Sequence, residues 1–320
     1  MIAQCPLCTE NAASLLETLK TADLINAYKM FMKLDPSNEF HGLEETSFYH
    51  CGKCDLMFFS PMITPSASFY EQLQKNEWYY LDDKEEYDFA SKYVNGTSSV
   101  LEIGAGKGAF SGKIQTDKYV GLEYNKNAVK LASLSGIRLL IQSIDEYATG
   151  NSGSFDVVCA FQVLEHVSDI RSFISNCISC LKPGGILIYS VPSADSFIGL
   201  LQNYVLNLPP HHQSWWSDNC LRAIAELFHL ELVSVFHEKL ADTHTRLYAS
   251  AVIHESLRSL FGLKFSLTDL TVRHRLVSAI AYVGSMLLEK GLRDHHMRPS
   301  GHTVTVVYRK PTSHPSGHLE

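Results

Sequence analysis

Four groups of residues in this 320-residue sequence have the types and spacing to do chemistry. Cys5-Pro-Leu-Cys8 and Cys51-Gly-Lys-Cys54 are two matched C-x2-C pairs. Four thiolates suit a tetrahedral zinc ion, and a shell closed by four cysteines is structural, because no position is left for a substrate. Val100-Leu-Glu-Ile-Gly-Ala-Gly-Lys-Gly108 runs a short apolar strand into a glycine loop, with a helix expected directly after it. Without side chains the backbone of such a loop can approach a ligand closely. Glu123 lies 19 residues beyond Gly104, at the end of the next apolar stretch. A carboxylate there can accept hydrogen bonds from both hydroxyls of a ribose. The fourth group is Leu208-Pro-Pro-His-His-Gln-Ser-Trp-Trp-Ser217. Its prolines stiffen the chain, His211 and His212 offer imidazoles suited to proton transfer near neutrality, and the tryptophans offer an apolar wall.

The glycine loop reads two ways. Gly104, Gly106 and Ala109 satisfy the loose dinucleotide pattern G-x-G-x-x-G/A, which would place a pyrophosphate at a helix N-terminus. An S-adenosylmethionine (SAM) site must instead hold a zwitterionic amino acid. Glu102, just before the loop, suits its ammonium group. Glu123 serves either nucleoside. The histidines read two ways as well: His212 as a base with His211 beside it, or both as substrate-binding or helix-capping groups.

These residues need a scaffold, and the patterning supplies one. From Ser98 onward, apolar strands alternate with helical spacings. The strands are expected at Val100–Ile103, Tyr119–Leu122, Arg138–Ile141, Phe155–Phe161 and Gly185–Val191, with helices such as Asn127–Leu134 and Asp169–Leu181 between them. This alternation predicts an α/β fold, a parallel sheet with helices on both faces. Two late strands are expected near Leu230–Phe236 and Thr303–Tyr308. We divide the chain into a zinc-binding domain with a helical insertion (1–75), a connecting helical segment (76–97), a main domain (98–312) and a tail (313–320). Residues 245–298 form a helical insertion before the last strand. Cys177 and Cys180 make a third C-x2-C, but their apolar neighbours read as the packed face of a helix.

The net charge of −7 and the pI of about 6.1 show no basic excess, which argues against a broad nucleic-acid surface. The start, MIAQCPLC, lacks the charged and apolar regions of a secretory signal. The longest apolar stretch, Leu276–Leu288, is too short to span a bilayer and reads as a buried helix. A cytoplasmic location follows as the expectation. A reducing compartment favours metal ligation over disulfides.

Three motifs in the expected order carry a family resemblance. Glu102-Ile-Gly-Ala-Gly-Lys-Gly108 resembles the first motif of class I SAM-dependent methyltransferases, whose fold is Rossmann-like. Phe155-Asp-Val-Val-Cys-Ala-Phe-Gln-Val-Leu-Glu-His-Val167 resembles their fourth-strand motif. Leu181-Lys-Pro-Gly-Gly185 resembles the turn before their fifth strand. The resemblance implies that Glu102, Gly104 and Gly106 hold the methionine end of SAM, that Gly108 belongs to the same cofactor-binding loop, and that Glu123 holds the ribose. It implies further that Ser143 and Ile144 border the adenine, and that Phe161 and Gln162 line the methionine side. Tyr79 and Tyr80 would close over the cofactor or simply pack. A Glu-His pair such as Glu165-His166 would help form the pocket wall.

The cysteine pairs, followed by Phe69-Tyr70 and Trp78-Tyr-Tyr80, resemble methyltransferases with an N-terminal zinc-binding domain that modify nucleotide sugars or surface polysaccharides. In sugar C-methyltransferases of that kind a His-Glu-His motif stands where His211 and His212 stand here. His212 matches the presumed base, and His211 replaces the glutamate. The resemblance therefore implies methylation of a sugar or glycan precursor, on O or C. Two alternatives stay in view. An rRNA or tRNA methyltransferase can also begin with a four-ligand zinc site, although Gln162-Val-Leu-Glu165 replaces the Asn/Asp-Pro-Pro-aromatic motif expected of it. A non-catalytic SAM-binding protein would bind without turnover.

Overall fold

The computed structural model describes residues 2–75, 83–292, 294 and 298–312. Tyr79, Tyr80 and the tail 313–320 lie outside the described residues.

The first sheet is built mainly from the N-terminal part of the chain. Its strands are β1 (Ile2–Ala3), β2 (Ala13–Lys20), β3 (Glu45–Cys51) and β4 (Met57–Ser60), all paired antiparallel. Ala13 and Leu19 of β2 point inward while its other residues are more exposed, the alternation of a half-buried strand. Helix α1 (Thr21–Met32) covers this region. It ends where Lys33 turns left-handed (φ 56°) and its N–H donates to Tyr28 O. Short helices α2 (Ala67–Leu73) and α3 (Glu85–Ser91) then lead to the second sheet.

The second sheet contains β5 (Val100–Ile103), β6 (Tyr119–Leu122), β7 (Leu139–Leu140), β8 (Phe155–Phe161) and β9 (Leu181–Pro192), which pair in parallel. Helices α4 (Lys126–Leu134), α5 (Ile144–Ala148) and α6 (Ile170–Cys180) connect them. All four residues of β5 are buried, as a central strand covered on both faces requires. Strand β10 (Ser214–Trp215) follows β9 but joins the first sheet beside β4. Helix α7 (Asp218–Leu227), β11 (Glu231–Lys239), helices α8 (Thr245–Leu260) and α9 (Val272–Gly291), and β12 (Ser300–Arg309) complete the chain. The order across the second sheet is β11-β12-β9-β8-β5-β6-β7, and β12 runs antiparallel to both neighbours. Chain direction across the sheet switches at β5, between β6 and β8. The carboxyl edge there is where ligands of such sheets bind.

Three expectations change. The helix expected directly after the glycine loop is only a 3-10 turn, Ala109–Lys113. Gly112 lowers the helical propensity there, and Ser111 Oγ donates back to Gly108 O at 2.7 Å. Strand β9 begins at Leu181, four residues early, because Leu181 pairs with Phe155 before an irregular stretch that resumes at Val157 and Ile186. Helix α9 is not buried on all sides: Val277, Ala281 and Ser285 face inward, but Leu276, Ile280, Val283 and Leu287 are exposed. Every third or fourth residue faces the protein, so an apolar composition does not make a buried helix.

Candidate functional site

The glycine loop leaves the end of β5 with positive φ at Gly104 (69°), Gly106 (55°) and Gly108 (80°). A side chain on Gly104 would be strained by that φ and would collide with Val163 Cγ2, while one on Gly108 would meet Ile137 Cγ2 at 2.9 Å. The glycines thus let the loop pack against the neighbouring chain as well as approach a ligand.

Three carboxylates surround this loop. Glu102 is almost fully buried and accepts a hydrogen bond from the Tyr119 hydroxyl at 2.5 Å. Burial pushes its carboxyl up to about 8, against the opposing effect of that hydrogen bond. Glu123 accepts from Gly106 N–H at 2.8 Å and from Asn125 N–H at 2.7 Å. Burial raises its carboxyl too. Glu86 is buried on α3, and its Oε2 accepts from Gln162 Nε2 at 3.0 Å. Its Oε1 has no hydrogen-bond partner and lies 3.4 Å from Lys84 Nζ. Sequence reasoning missed Glu86 because it falls in a charged run that reads as a connecting helix. Nothing local in the sequence tells it from its solvated neighbours.

Gln162, at the end of β8, takes a left-handed φ of 57°, a sparsely populated conformation that persists only where its surroundings enforce it. Its N–H donates to Ser190 O and its side chain to Glu86. The Phe161 side chain turns into the core, 4.9 Å from the rings of Tyr87 and Phe110, so only its backbone faces the edge. Ser143 caps α5: its hydroxyl accepts from Glu146 N–H, and Glu146 reaches back to Ser143 N–H. Ile144 is buried beside it. These residues fit SAM. Glu102 and Glu86, the latter already facing the Lys84 ammonium, suit an ammonium group. Glu123 suits a ribose, and Ile144 offers an apolar edge to adenine.

The second part of the site lies on the same edge, beyond β8 and β9. His211 and His212, in the segment past β9, stack on each other, and His166, just past β8, meets both edge-on, with ring centroids 4.6–4.8 Å apart. Their potential ligand atoms lie within 4.8 Å of one another. Each ring is held from behind. His166 Nδ1–H donates to His211 O at 2.6 Å, His211 Nδ1–H to Leu206 O at 2.8 Å, and His212 Nδ1–H to Asn207 Oδ1 at 3.0 Å. Burial lowers His166 to about 4 and His211 to about 3, and it lowers His212 strongly, with the neighbouring imidazoles adding to the effect at His211 and His212. All three are neutral at neutral pH. Glu165 Oε1 lies 3.7 Å from His166 Nε2 and 3.9 Å from His212 Nε2. That carboxylate is 1% exposed, and neither oxygen has a hydrogen-bond partner. The helix after Ser217 is capped by Ser217 itself, whose hydroxyl accepts from Cys220 N–H, so the histidines do not cap it.

The first sheet holds this segment in place. Tyr28 donates to Val205 O and Leu208 O at 2.7 and 3.0 Å. Gln213 N–H donates to Glu165 O, Gln213 O accepts from Phe59 N–H, and Gln213 Oε1 accepts from Ile63 N–H. Trp215 Nε1–H donates to Asn207 O, the residue whose side chain holds His212.

At the far end of the first sheet Cys5, Cys8, Cys51 and Cys54 are buried with their sulfurs within 4.8 Å of one another. Cys5 and Cys54 Sγ are 3.5 Å apart, and Cys8 and Cys51 Sγ are 3.6 Å apart. Contact with Cys54 and burial raise the Cys5 thiol, burial holds Cys8 at about 11, the neighbouring Cys220 raises Cys54, and at Cys51 burial is outweighed by hydrogen bonds from the Cys54 and Lys53 N–H groups, which lower it. A cation among the four would reverse that cost, and the donor set fits tetrahedral zinc. Arg171 of α6 donates to Leu7 O at 2.9 Å, and Ser217 donates to Asp55 Oδ2 at 2.5 Å, so both cysteine turns are tied to the second sheet's helices. Cys177 and Cys180 are buried on α6, as their packing pattern predicted.

The family model described as "Methyltransferase domain" matches residues 64–235, more than half of the chain. Curated relatives include the ubiquinone biosynthesis O-methyltransferase of Erwinia tasmaniensis, 29% identical over 137 residues, covering 38% of this chain and 56% of that one. The protein of the same name from Xanthomonas axonopodis pv. citri is 33% identical over 128 residues, covering 35% and 54%. The chain thus spans a little over half the length of these relatives. Among solved structures, a SAM-dependent methyltransferase from Archaeoglobus fulgidus aligns at TM-score 0.48 and 18% identity, over 75% of this chain and all of that one. Among the described residues no helix is long and apolar enough to cross a membrane.

Proposed function

Given that this chain belongs to the methyltransferase-domain family, we propose that it is a class I SAM-dependent methyltransferase and that it methylates a hydroxyl oxygen of a small polar acceptor, a sugar or glycan precursor. The observation that carries this reading is the buried cluster of His166, His211, His212 and Glu165 on the same sheet edge as the glycine loop. Bound SAM supplies an electrophilic methyl group whose sulfur leaves as a neutral thioether. Transfer then depends on bringing an acceptor oxygen into line and removing its proton. Glu102 and Glu86 hold the ammonium end, and Glu123 fixes the ribose between Gly106 and Asn125. The histidine cluster receives the acceptor: neutral imidazoles and Asn207 suit hydroxyl groups. In this reading Cys5, Cys8, Cys51 and Cys54 hold a structural zinc ion whose role is to fix the first sheet against the acceptor segment.

A second acceptor class has its own support. The curated relatives are named for ubiquinone biosynthesis, so a phenolic acceptor is the alternative. The test begins with calorimetric titration of zinc-replete protein with SAM and, separately, NADH. It continues with transfer of labelled methyl from SAM to nucleotide sugars and to catechols. Micromolar SAM binding lost in Glu123→Ala, no response to NADH, and label on the nucleotide sugars are expected. Label on catechols alone would replace the sugar with a phenol. Absence of SAM binding would remove the reading of the loop.

A further inference from the structure

We propose that His166, His211 and His212 bind one divalent transition-metal ion, zinc or a first-row neighbour, with the Glu165 carboxylate balancing its charge. The inference goes beyond the structural cysteine site.

Three observations converge on it. The first is orientation. Each imidazole donates its Nδ1–H to an oxygen acceptor, the carbonyls of His211 and Leu206 and the side chain of Asn207. This fixes the tautomer and leaves the lone pair on Nε2 in all three rings. Metal-bound histidines are held in this way, by a carbonyl or carboxylate behind the ring. The second is convergence. The ligand atoms of the three rings lie within 4.8 Å of one another, drawn from two chain segments about 45 residues apart. Ions bound at about 2.0–2.1 Å from imidazole nitrogen need ligand atoms roughly 3.4 Å apart in a tetrahedron, so closure asks for small side-chain rotations only.

The third is charge. Glu165 is buried against the cluster with neither oxygen hydrogen-bonded. An isolated carboxylate in such a place is costly unless it is neutralised, paired with a cation or bound to a metal. Among the described residues its nearby nitrogen partners are His166 and His212, and both rings carry a lone pair on the nitrogen facing it. Two imidazole lone pairs and the Glu165 oxygens thus face one space, and a cation placed among them is attracted by all three.

Three imidazoles leave a fourth position open on a tetrahedral ion, as in catalytic rather than structural zinc sites. Resting on the acceptor reading above, that position would take the acceptor hydroxyl. His212 would then act as a ligand rather than as a free base. The hydroxyl proton passes to Glu165, the new O–CH3 bond forms as the methyl–sulfur bond breaks, and the electron pair stays on sulfur.

Counting the bound metal needs no acceptor, and methyl transfer is measured separately. Tag-free full-length protein is loaded with cobalt(II) alone, and bound metal is counted and its absorption recorded. The expected result is two ions per chain: one with thiolate-to-cobalt charge transfer from the cysteines, and one showing only ligand-field bands. His211→Gln and, independently, His212→Gln should each lose the second ion and keep the cysteine signal, which also reports that the variant is folded. One ion per wild-type chain, held by sulfur, would overturn the proposal, as would a second ion that persists in both variants. Two ions without transfer to any acceptor would leave the metal site standing and remove the acceptor reading. Transfer with only the cysteine-bound ion would do the reverse.

Discussion

Glu102 shows how a single side chain can set the conditions for cofactor binding. Burial raises its carboxyl to about 8, so with the site empty it is protonated below that pH. An ammonium group beside it favours the ionised form, so binding must drive off a proton at neutral pH. SAM affinity should therefore rise by up to about tenfold per pH unit between roughly pH 6 and 8 and level off above. Calorimetry in buffers of different ionisation heat should show proton release at pH 7. Glu102→Gln should weaken binding and flatten the profile. The sequence offered Glu102 and Glu123 because both stand at fixed distances from a recognisable loop. It did not offer Glu86 or the full cluster around Glu165. Those depend on contacts such as Gln162 with Glu86 and His166 with His211, which join residues dozens of positions apart.

The elements of the second sheet were largely legible. Strands such as Phe155–Phe161 are continuous apolar runs, and Leu230–Phe236 and Thr303–Tyr308 stood out late in the chain. The first sheet was less so. Its cysteines drew attention, while β2 and β3 pair in a register that a bulge near Leu15 and Glu17 interrupts, breaking the simple alternation. Strand β10 could not be read from two residues whose partner is β4. Yet α1 and β10 steady the acceptor segment. Tyr28, fully buried on α1, donates to two carbonyls of that segment. Tyr28→Phe removes the donor and leaves Val205 O and Leu208 O without it, at a cost of about 1–2 kcal/mol. Urea unfolding should show that loss. The kcat for methyl transfer should fall while the SAM dissociation constant stays within about twofold, because the glycine loop lies on other elements.

At the scale of the whole molecule, the cysteine turns, the first sheet and the histidine segment form one connected structure. Asp55, next to Cys54, accepts from Ser217, and Arg171 reaches Leu7 between Cys5 and Cys8. Disturbing the cysteines should thus reach the acceptor side before the cofactor side. Cys8→Ser, measured against wild type by zinc content, thermal melting and transfer rate, should lose the thiolate-bound ion and melt earlier. It should slow transfer about tenfold, equivalent to about 1.4 kcal/mol of barrier. SAM binding by the folded fraction should persist. Equal loss of SAM binding and transfer would instead mean that the two sheets unfold together.

The pairing of Ser214 with Phe58 also sets an order of assembly during synthesis. All four cysteines leave the ribosome early, and so does β4, but the strand that covers β4's free edge is made only after most of the second sheet has emerged. For that interval the nascent chain carries an open strand edge with Phe58 and Phe59 beside it, a template for pairing with other chains. Early metal capture by the cysteines would steady that edge while it waits. Zinc supply during translation, rather than after purification, should then decide how much of the protein reaches the soluble fraction.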